Sequence, residues 1–363
     1  MKAAVLYETN TPLKVEKVTL DEPQANEVLV KIVATGVCHS DLHFMKGEMP
    51  VPVPVVPGHE GAGIVEKVGP GVTTLQLGDH VVMMVAFSCG KCRYCIEGKP
   101  TMCVENLPIQ SMATLPGGGI RLHKGEQSLN HMFGLASYAE YAVVHERSCV
   151  KVRDDAPLDV LCLLGCGTST GIGAAINSTG IKPGESIAIF GCGGVGLSAV
   201  MGAKLAGAGK IIAVDTLSRK LKMAKKLGAD YVINAKKEDP IMKVMELTGG
   251  GADYALECIG NVNVMTQAFA SIRFGGKFIV VGMAPLGTVF SIATYEFFLG
   301  KTVTGTVQGD INPQIDIPRY IDLYMNGKLP IDKLITKTYS LDQINEAFEA
   351  LEKGQVIRSV IKF

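Results

Sequence analysis

Up to about residue 165 the apolar residues come in short, branched, alternating runs separated by turns. EVLVKIVATGV (27–37) predicts a buried strand, GAGIVEKVGPGV (61–72) a strand closed by a Gly-Pro-Gly turn, and HVVMMVAF (80–87) another strand. The stretch PVPVPVVP has prolines at 50, 52, 54 and 57, which rule out helix and central strand. Residues 104–135 are polar and glycine-containing, and read as a long irregular segment serving function or association. After Cys166 the rhythm changes. SIAIF (186–190), KIIAV (210–214), YVIN (231–234), DYALEC (253–258), KFIVVG (277–282) and KTVTGTV (301–307) read as strands. Helical patterns lie between several of them: GLSAVMGAKLAGA, LKMAKKLG and VMTQAFASIR. Strands alternating with helices predict a parallel sheet with crossover helices, and about six strands is the size of a dinucleotide-binding sheet. The tail is mixed: helices in IDIPRYIDLYMNG and LDQINEAFEALEKG, then a terminal strand in VIRSVIKF.

Composition narrows the function classes. The 363 residues suffice for two domains, with 47% hydrophobic and 19% charged residues. The 35 basic residues balance the 35 acidic ones, so nothing points to nucleic acid or an anionic membrane. MKAAVLYETN has no apolar signal core, and no apolar run approaches the ~18 residues of a membrane span. A cytoplasmic location is expected, where thiols stay reduced and clustered cysteines mark metal sites rather than disulfides.

Gly191-Cys192-Gly193-Gly194-Val195-Gly196 fits G-x-G-x-x-G between a predicted strand and a predicted helix, and Asp215 ends the next strand. Gly191 allows the tight turn, Gly193 lets the backbone approach a pyrophosphate, and Gly196 permits close helix–strand packing. Asp215 would accept the adenosine ribose hydroxyls and repel a 2′-phosphate, which favours NAD over NADP.

Ten cysteines are present, and four fall between Cys89 and Cys103, as Cys89, Cys92, Cys95 and Cys103. The C-x2-C-x2-C-x7-C spacing suits a closed, tetrahedral structural zinc site. An iron–sulfur run would bring the fourth cysteine sooner and follow it with proline. Unligated thiols are the remaining alternative. A second set is dispersed: Cys38 after a strand, His59 after the proline loop, Cys166 before the nucleotide domain. Two cysteines and a histidine supply three ligands and leave a fourth position open for Lewis-acid chemistry.

GVCHSD, PGHEGAGIVEKVG, the four-cysteine lobe, GCGTSTG, GCGGVG with Asp215, and the terminal IRSVIKF together resemble the zinc-dependent alcohol dehydrogenases of the medium-chain dehydrogenase/reductase superfamily. The resemblance spans essentially the whole chain. It implies an α/β fold: a Rossmann-type doubly wound parallel sheet domain at 168–308, and a GroES-like, mostly β catalytic domain. The latter is built from 1–167, with the zinc lobe at about 88–104, and from the returning segment 309–363. Implied cofactors are NAD and two zinc ions per chain, with the active site in the cleft between domains.

By the same resemblance, Cys38, His59 and Cys166 match the catalytic zinc ligands and Glu60 the acid behind the metal. Asp41 matches the carboxylate that orients the liganding histidine. Ser40 and His43 match a proton relay running through a cofactor ribose hydroxyl. His39, Thr170, Val195, Lys220 and Arg358 match coenzyme contacts beside the glycines. Met49, Val85, Met102 and Met283 fall at pocket positions. The family often has aromatic rings where Val85 and Met102 stand, so the pocket is expected to take a bulky primary, or secondary, alcohol or aldehyde, aromatic or long-chain.

Three alternatives remain. A glutathione-dependent formaldehyde dehydrogenase shares both zinc sites but uses charged pocket residues where Met49 and Leu107 stand here. A zinc-free reductase of the same superfamily would leave Cys38, His59 and Cys166 unexplained. A non-catalytic binding protein on this fold would not need the relay. The long segment 104–135 implies, by family analogy, a homodimer.

Overall fold

The strand Glu27–Val37 is the organising element of the larger sheet. Its β-branched residues Val28, Val30 and Ile32 line one face and are buried there, each such side chain contributing about 1.5–3 kcal/mol on leaving water. The computed structural model describes residues 1–363. The chain divides into two units, one of Met1–Cys166 with Asn312–Phe363, the other of Gly167–Ile311.

In the first unit Glu27–Val37 pairs antiparallel with Gly61–Val68, Tyr141–His145 and Arg358–Lys362. Val37 lies opposite Ser359, and Thr35 opposite Gly61. That register brings the end of one strand and the starts of two others to one edge of the sheet. Cys38 therefore follows directly on Val37, Glu60 directly precedes Gly61, and Arg358 opens the terminal strand, all at that edge. His80–Met83, Cys149–Val152 and Ile335–Ser340 complete the sheet.

The second unit is a six-stranded parallel sheet. Its spatial order is Tyr231–Asn234, Lys210–Asp215, Ser186–Phe190, Ala252–Glu257, Ile272–Val280, Thr302–Gly305. Numbered along this unit alone, that is 3-2-1-4-5-6, the doubly wound order of dinucleotide-binding domains. The helix Gly194–Leu205 follows the first strand, with its residues from Gly196 to Ala203 buried.

Two expectations need correction, and one helical stretch carries no helical signature. Residues 104–135 are not irregular: they hold the helix Asn106–Met112 and a hairpin of Leu122–Lys124 and Gln127–His131. Both are short, and neither is long enough to show the apolar period that would signal it. The strand read at 80–87 stops at Met83. Helical structure over Gly167–Gly173 and Ala174–Ser178 was not foreseen, since its glycines and serines read as turn. No single helix is long and apolar enough to cross a membrane.

Candidate active site

At the sheet edge the donor atoms of Cys38, His59, Glu60 and Cys166 lie within 4.8 Å of one another. Cys38 sits where the central strand passes into the helix His39–Met45. Cys166 follows the short turn Cys162–Gly165. A Cβ at Gly165 would press on the carbonyl of Met83 and the backbone of Glu60, so this turn approaches the sheet as closely as only glycine allows.

Asp41 organises the histidine. It is fully buried on the helix and accepts a hydrogen bond from His59 Nδ1 at 2.9 Å. The same carboxylate oxygen accepts the Gly58 N–H at 3.1 Å, and the other accepts the Tyr138 hydroxyl at 2.7 Å. Burial opposes a charge on His59, but Asp41's charge and hydrogen bond lift its pKa well above the ordinary histidine range. The hydrogen bond to Asp41 commits Nδ1 as a donor, so in the neutral ring that a metal ligand must be, the lone pair is on Nε2. That atom is buried and has no hydrogen-bond partner, a costly arrangement unless something takes the lone pair.

The two sulfurs behave as a pair. A hydrogen bond from Cys166, and then His59, hold the Cys38 thiol well below its ordinary range against the effect of burial. The same bond and burial push Cys166 well above it. Glu60 forms an ion pair with Arg358, both fully enclosed. Burial works against the Arg358 charge, and Glu60, Cys38 and Cys166 outweigh it. With Glu60 committed to Arg358, the other three donors fit a zinc site with one open position.

The remaining relay and coenzyme candidates divide between the units. Ser40 Oγ lies 3.7 Å from Cys38 Sγ. His43, one turn further along the helix, pairs through Nδ1 with Glu48 at 2.5 Å. His39 is exposed at the start of that helix, and Arg358 is in the first unit against Glu60. In the second unit, Gly191 takes φ +94 in the turn, and a Cβ at Gly196 would run into the Gly191 carbonyl. A Cβ at Gly193 would meet nothing, so space for a ligand is open above the turn. Asp215 is anchored by the N–H groups of Cys192 and Leu217, each at 2.8 Å, which leaves lone pairs for ribose hydroxyls. Val195 lies in the first turn of the helix Gly194–Leu205, Lys220 on the helix Ser218–Leu227, and Thr170 on Gly167–Gly173.

Cys89, Cys92, Cys95 and Cys103 form the other donor set within 4.8 Å. A tetrahedron of Zn–S bonds has sulfurs ~3.8 Å apart, from a bond length of ~2.3 Å. Cys92 and Cys95 are 3.5 Å apart and Cys89 and Cys95 4.0 Å. Backbone N–H groups already point at sulfur, Cys92 to Cys89 and Cys89 to Cys103, both at 3.3 Å. N–H groups at Cys95 and Val104 lower the Cys92 thiol to about 6, while burial pushes Cys103 to about 12. Cys149, Cys162 and Cys192 are buried and belong to neither set, and burial raises each of their pKa values.

Two residues of consequence escaped the sequence reading. Tyr138 reaches Asp41 from 97 positions away. The Phe133 ring stands edge-on to His59, centroids 4.9 Å apart, and edge-on to Phe44 at 5.3 Å. Phe133 takes φ +56, uncommon for a bulky residue. No local pattern announces either contact.

Comparison with known proteins adds to this geometry. Residues 24–154 match the alcohol dehydrogenase GroES-like domain family, and residues 194–326 the zinc-binding dehydrogenase family. The chain is 42% identical to an S-(hydroxymethyl)glutathione dehydrogenase of Synechocystis sp., covering 100% of this chain and 99% of the relative. It is 41% identical to a class-3 alcohol dehydrogenase of Drosophila melanogaster, covering 100% and 97%. The crystal structure of benzyl alcohol dehydrogenase from Acinetobacter calcoaceticus is similar with a TM-score of 0.95 and 41% identity, covering 100% of this chain and 99% of that one.

Proposed function

We propose a substrate class from a fixed premise: the chain belongs to the zinc-dependent alcohol dehydrogenases of the medium-chain dehydrogenase/reductase superfamily. It is an NAD-dependent oxidoreductase acting on alcohols and aldehydes, and zinc is its metal. Its preferred substrates are bulky primary alcohols and aldehydes, benzylic ones foremost.

The observation that carries this is the Phe133 ring against the metal-facing histidine. Phe133 packs with both apolar clusters of this region, one of which includes Phe44, Met132 and Met49, the other Met83 and Val85. A flat apolar substrate would find an aromatic edge and adaptable methionine there, whereas ethanol would cover little of it. Likeness to a benzyl alcohol dehydrogenase supports the same reading. Two relatives carry glutathione-linked or class-3 names. Against that specificity here, Met49 is packed among apolar side chains and Leu107 is exposed, so neither position offers charge to a glutathione carboxylate.

The residues divide the work. Zinc held by Cys38, His59 and Cys166 would supply Lewis acidity towards an alcohol oxygen, with NAD as hydride acceptor. The thiolates offset the metal's charge. Asp41, fixed by Tyr138 and Gly58, keeps the His59 Nε2 lone pair aimed at the donor set. Glu60 pairs with Arg358 and keeps a carboxylate oxygen beside the three donors, where it would serve as an alternative ligand. Ser40 takes the alcohol proton and passes its own onward, and His43 receives it and exchanges it with water. Asp215 and the turn Gly191–Gly196 hold the adenosine half of the coenzyme, with His39, Thr170, Val195 and Lys220 as further contacts. A cytoplasmic homodimer is the expected working form.

Initial-rate kinetics test the substrate class. The kcat/KM for benzyl alcohol should exceed that for ethanol by at least about ten-fold, the scale of discrimination an apolar pocket achieves. A higher value for ethanol refutes it, and a higher value for S-(hydroxymethyl)glutathione than for benzyl alcohol replaces it with the glutathione-linked reading.

A further inference from the structure

The helix His39–Met45 ends in a turn written into its sequence. Gly47 follows at φ +67, a conformation that favours glycine. Its N–H donates to the Phe44 carbonyl, and the Glu48 N–H donates back to the His43 carbonyl, both at 3.0 Å. This pair of bonds is the Schellman closure. It places the side chain of the second residue past the cap over that of the third residue before it, and an apolar contact usually fills the space. Here the two residues are Glu48 and His43, and the contact is polar. Glu48 Oε2 lies 2.5 Å from His43 Nδ1, with both side chains partly exposed.

That contact sets the tautomer. A carboxylate only accepts, so Nδ1 must carry the proton. A neutral imidazole has one N–H, so Nε2 keeps the lone pair. The alternative tautomer would set the Nδ1 lone pair against the carboxylate. Ser40 and His43 are three residues apart on this helix and so share a face. Ser40 in turn lies 3.7 Å from Cys38, at the donor set. The helix therefore lines up three elements: the metal-facing end, the hydroxyl and the imidazole, with Glu48 behind.

We propose that Glu48 is a positioning residue of the proton relay, locking the His43 ring with Nδ1 protonated so that Nε2 is the acceptor. The proposal rests on the reading of His43 as the relay's last member. As the alcohol's O–H bond breaks, Ser40 Oγ gains that proton and releases its own, directly or through an intervening hydroxyl, to His43 Nε2. The Nδ1 proton stays on the Glu48 hydrogen bond throughout. Nε2 then loses its proton to water, and the ring returns to the same tautomer. Glu48 neither gains nor loses a proton and does not touch substrate.

The test uses the zinc- and NAD-loaded enzyme in its wild-type, Glu48→Ala, Glu48→Asp and His43→Gln forms. Ring-labelled 15N histidine reports the tautomer, and the signal missing from His43→Gln identifies His43. The wild type should show Nδ1–H. Glu48→Ala should show a shift towards Nε2–H, a kcat about five- to ten-fold lower, and KM values for alcohol and NAD within about two-fold, since positioning is a fraction of what a general acid–base group contributes. Glu48→Asp should recover part of both signals. An unchanged tautomer in Glu48→Ala, or an unchanged kcat, overturns the proposal when His43→Gln is impaired. A fully active His43→Gln enzyme instead removes the relay reading on which it stands.

Discussion

The first unit contains two candidate sets of metal ligands that are built in opposite ways. The lobe from Cys89 to Cys103 gathers four sulfurs from one short stretch of chain. Three of its cysteines are partly exposed, and only a small cluster around Phe87 and Ile109 packs beneath them. The other set draws Cys38, the neighbours His59 and Glu60, and Cys166 from three separate segments; all but the partly exposed Cys166 are buried, as are Asp41, Tyr138 and Arg358 behind them. The lobe has little but its ligands to hold its shape, so metal binding and local folding are one event there. The buried set is held by sheet register and by hydrogen bonds between protein groups, in which a metal is not a partner. Losing zinc should therefore unravel the lobe but only empty the buried site.

Substituting one ligand in each set puts this difference to the test. Cys166→Ser should remove one of two zinc ions and lower kcat at least about 10³-fold, because a serine hydroxyl stays protonated where a thiolate is needed. The melting temperature should stay within about 3 °C of wild type, since the register around Cys166 is independent of its sulfur. Metal analysis, steady-state kinetics and calorimetry together check this. A collapse of stability in Cys166→Ser would mean that the buried set, too, depends on its metal for shape.

Cys92→Ser is the reciprocal variant and should behave the other way. One zinc is lost, and the melting temperature falls by at least about 5 °C. The molecules that remain folded should keep kcat within about three-fold of wild type, since no lobe cysteine belongs to the buried donor set. Normal stability combined with lost turnover would exchange the roles of the two sites.

The same contrast explains what the sequence makes legible. The lobe can be read from spacing alone because its ligands are neighbours in the chain. The glycine-rich turn is equally plain, since strand, turn, helix and Asp215 follow one another locally. The doubly wound sheet follows from its alternating elements. What lies behind the buried donors is another matter. Arg358 meets Glu60 across 298 positions and Tyr138 meets Asp41 across 97, and only the pairing of distant strands brings them there. Family resemblance assigned Arg358 to the coenzyme; its partner Glu60 emerges only in three dimensions. The helix Asn106–Met112 and the hairpin after it are illegible for a different reason: they are too short to show an apolar period and depend on their surroundings for stability.

The smallest expected effect concerns what ties the lobe to the sheet. Arg147 lies just past the strand Tyr141–His145 and donates from Nη1 to the carbonyls of Ser88 and Cys89. One residue before the lobe's first turn, Phe87 also stacks edge-on with His145, centroids 5.1 Å apart. These contacts hold the entrance of the lobe without touching any sulfur. Arg147 is exposed, and an exposed charged donor contributes little. Arg147→Ala should therefore speed the chelator-driven release of the lobe zinc by only about two- to five-fold, with kcat unchanged. A colorimetric chelator that follows zinc release over time, alongside initial rates on one alcohol, is sufficient. If release is not faster, the ligands alone hold the lobe and the contrast with the buried set is sharper than drawn. If kcat falls as well, the two sets communicate through Cys149–Val152 and the strands beside it, and they cannot be treated as separately built.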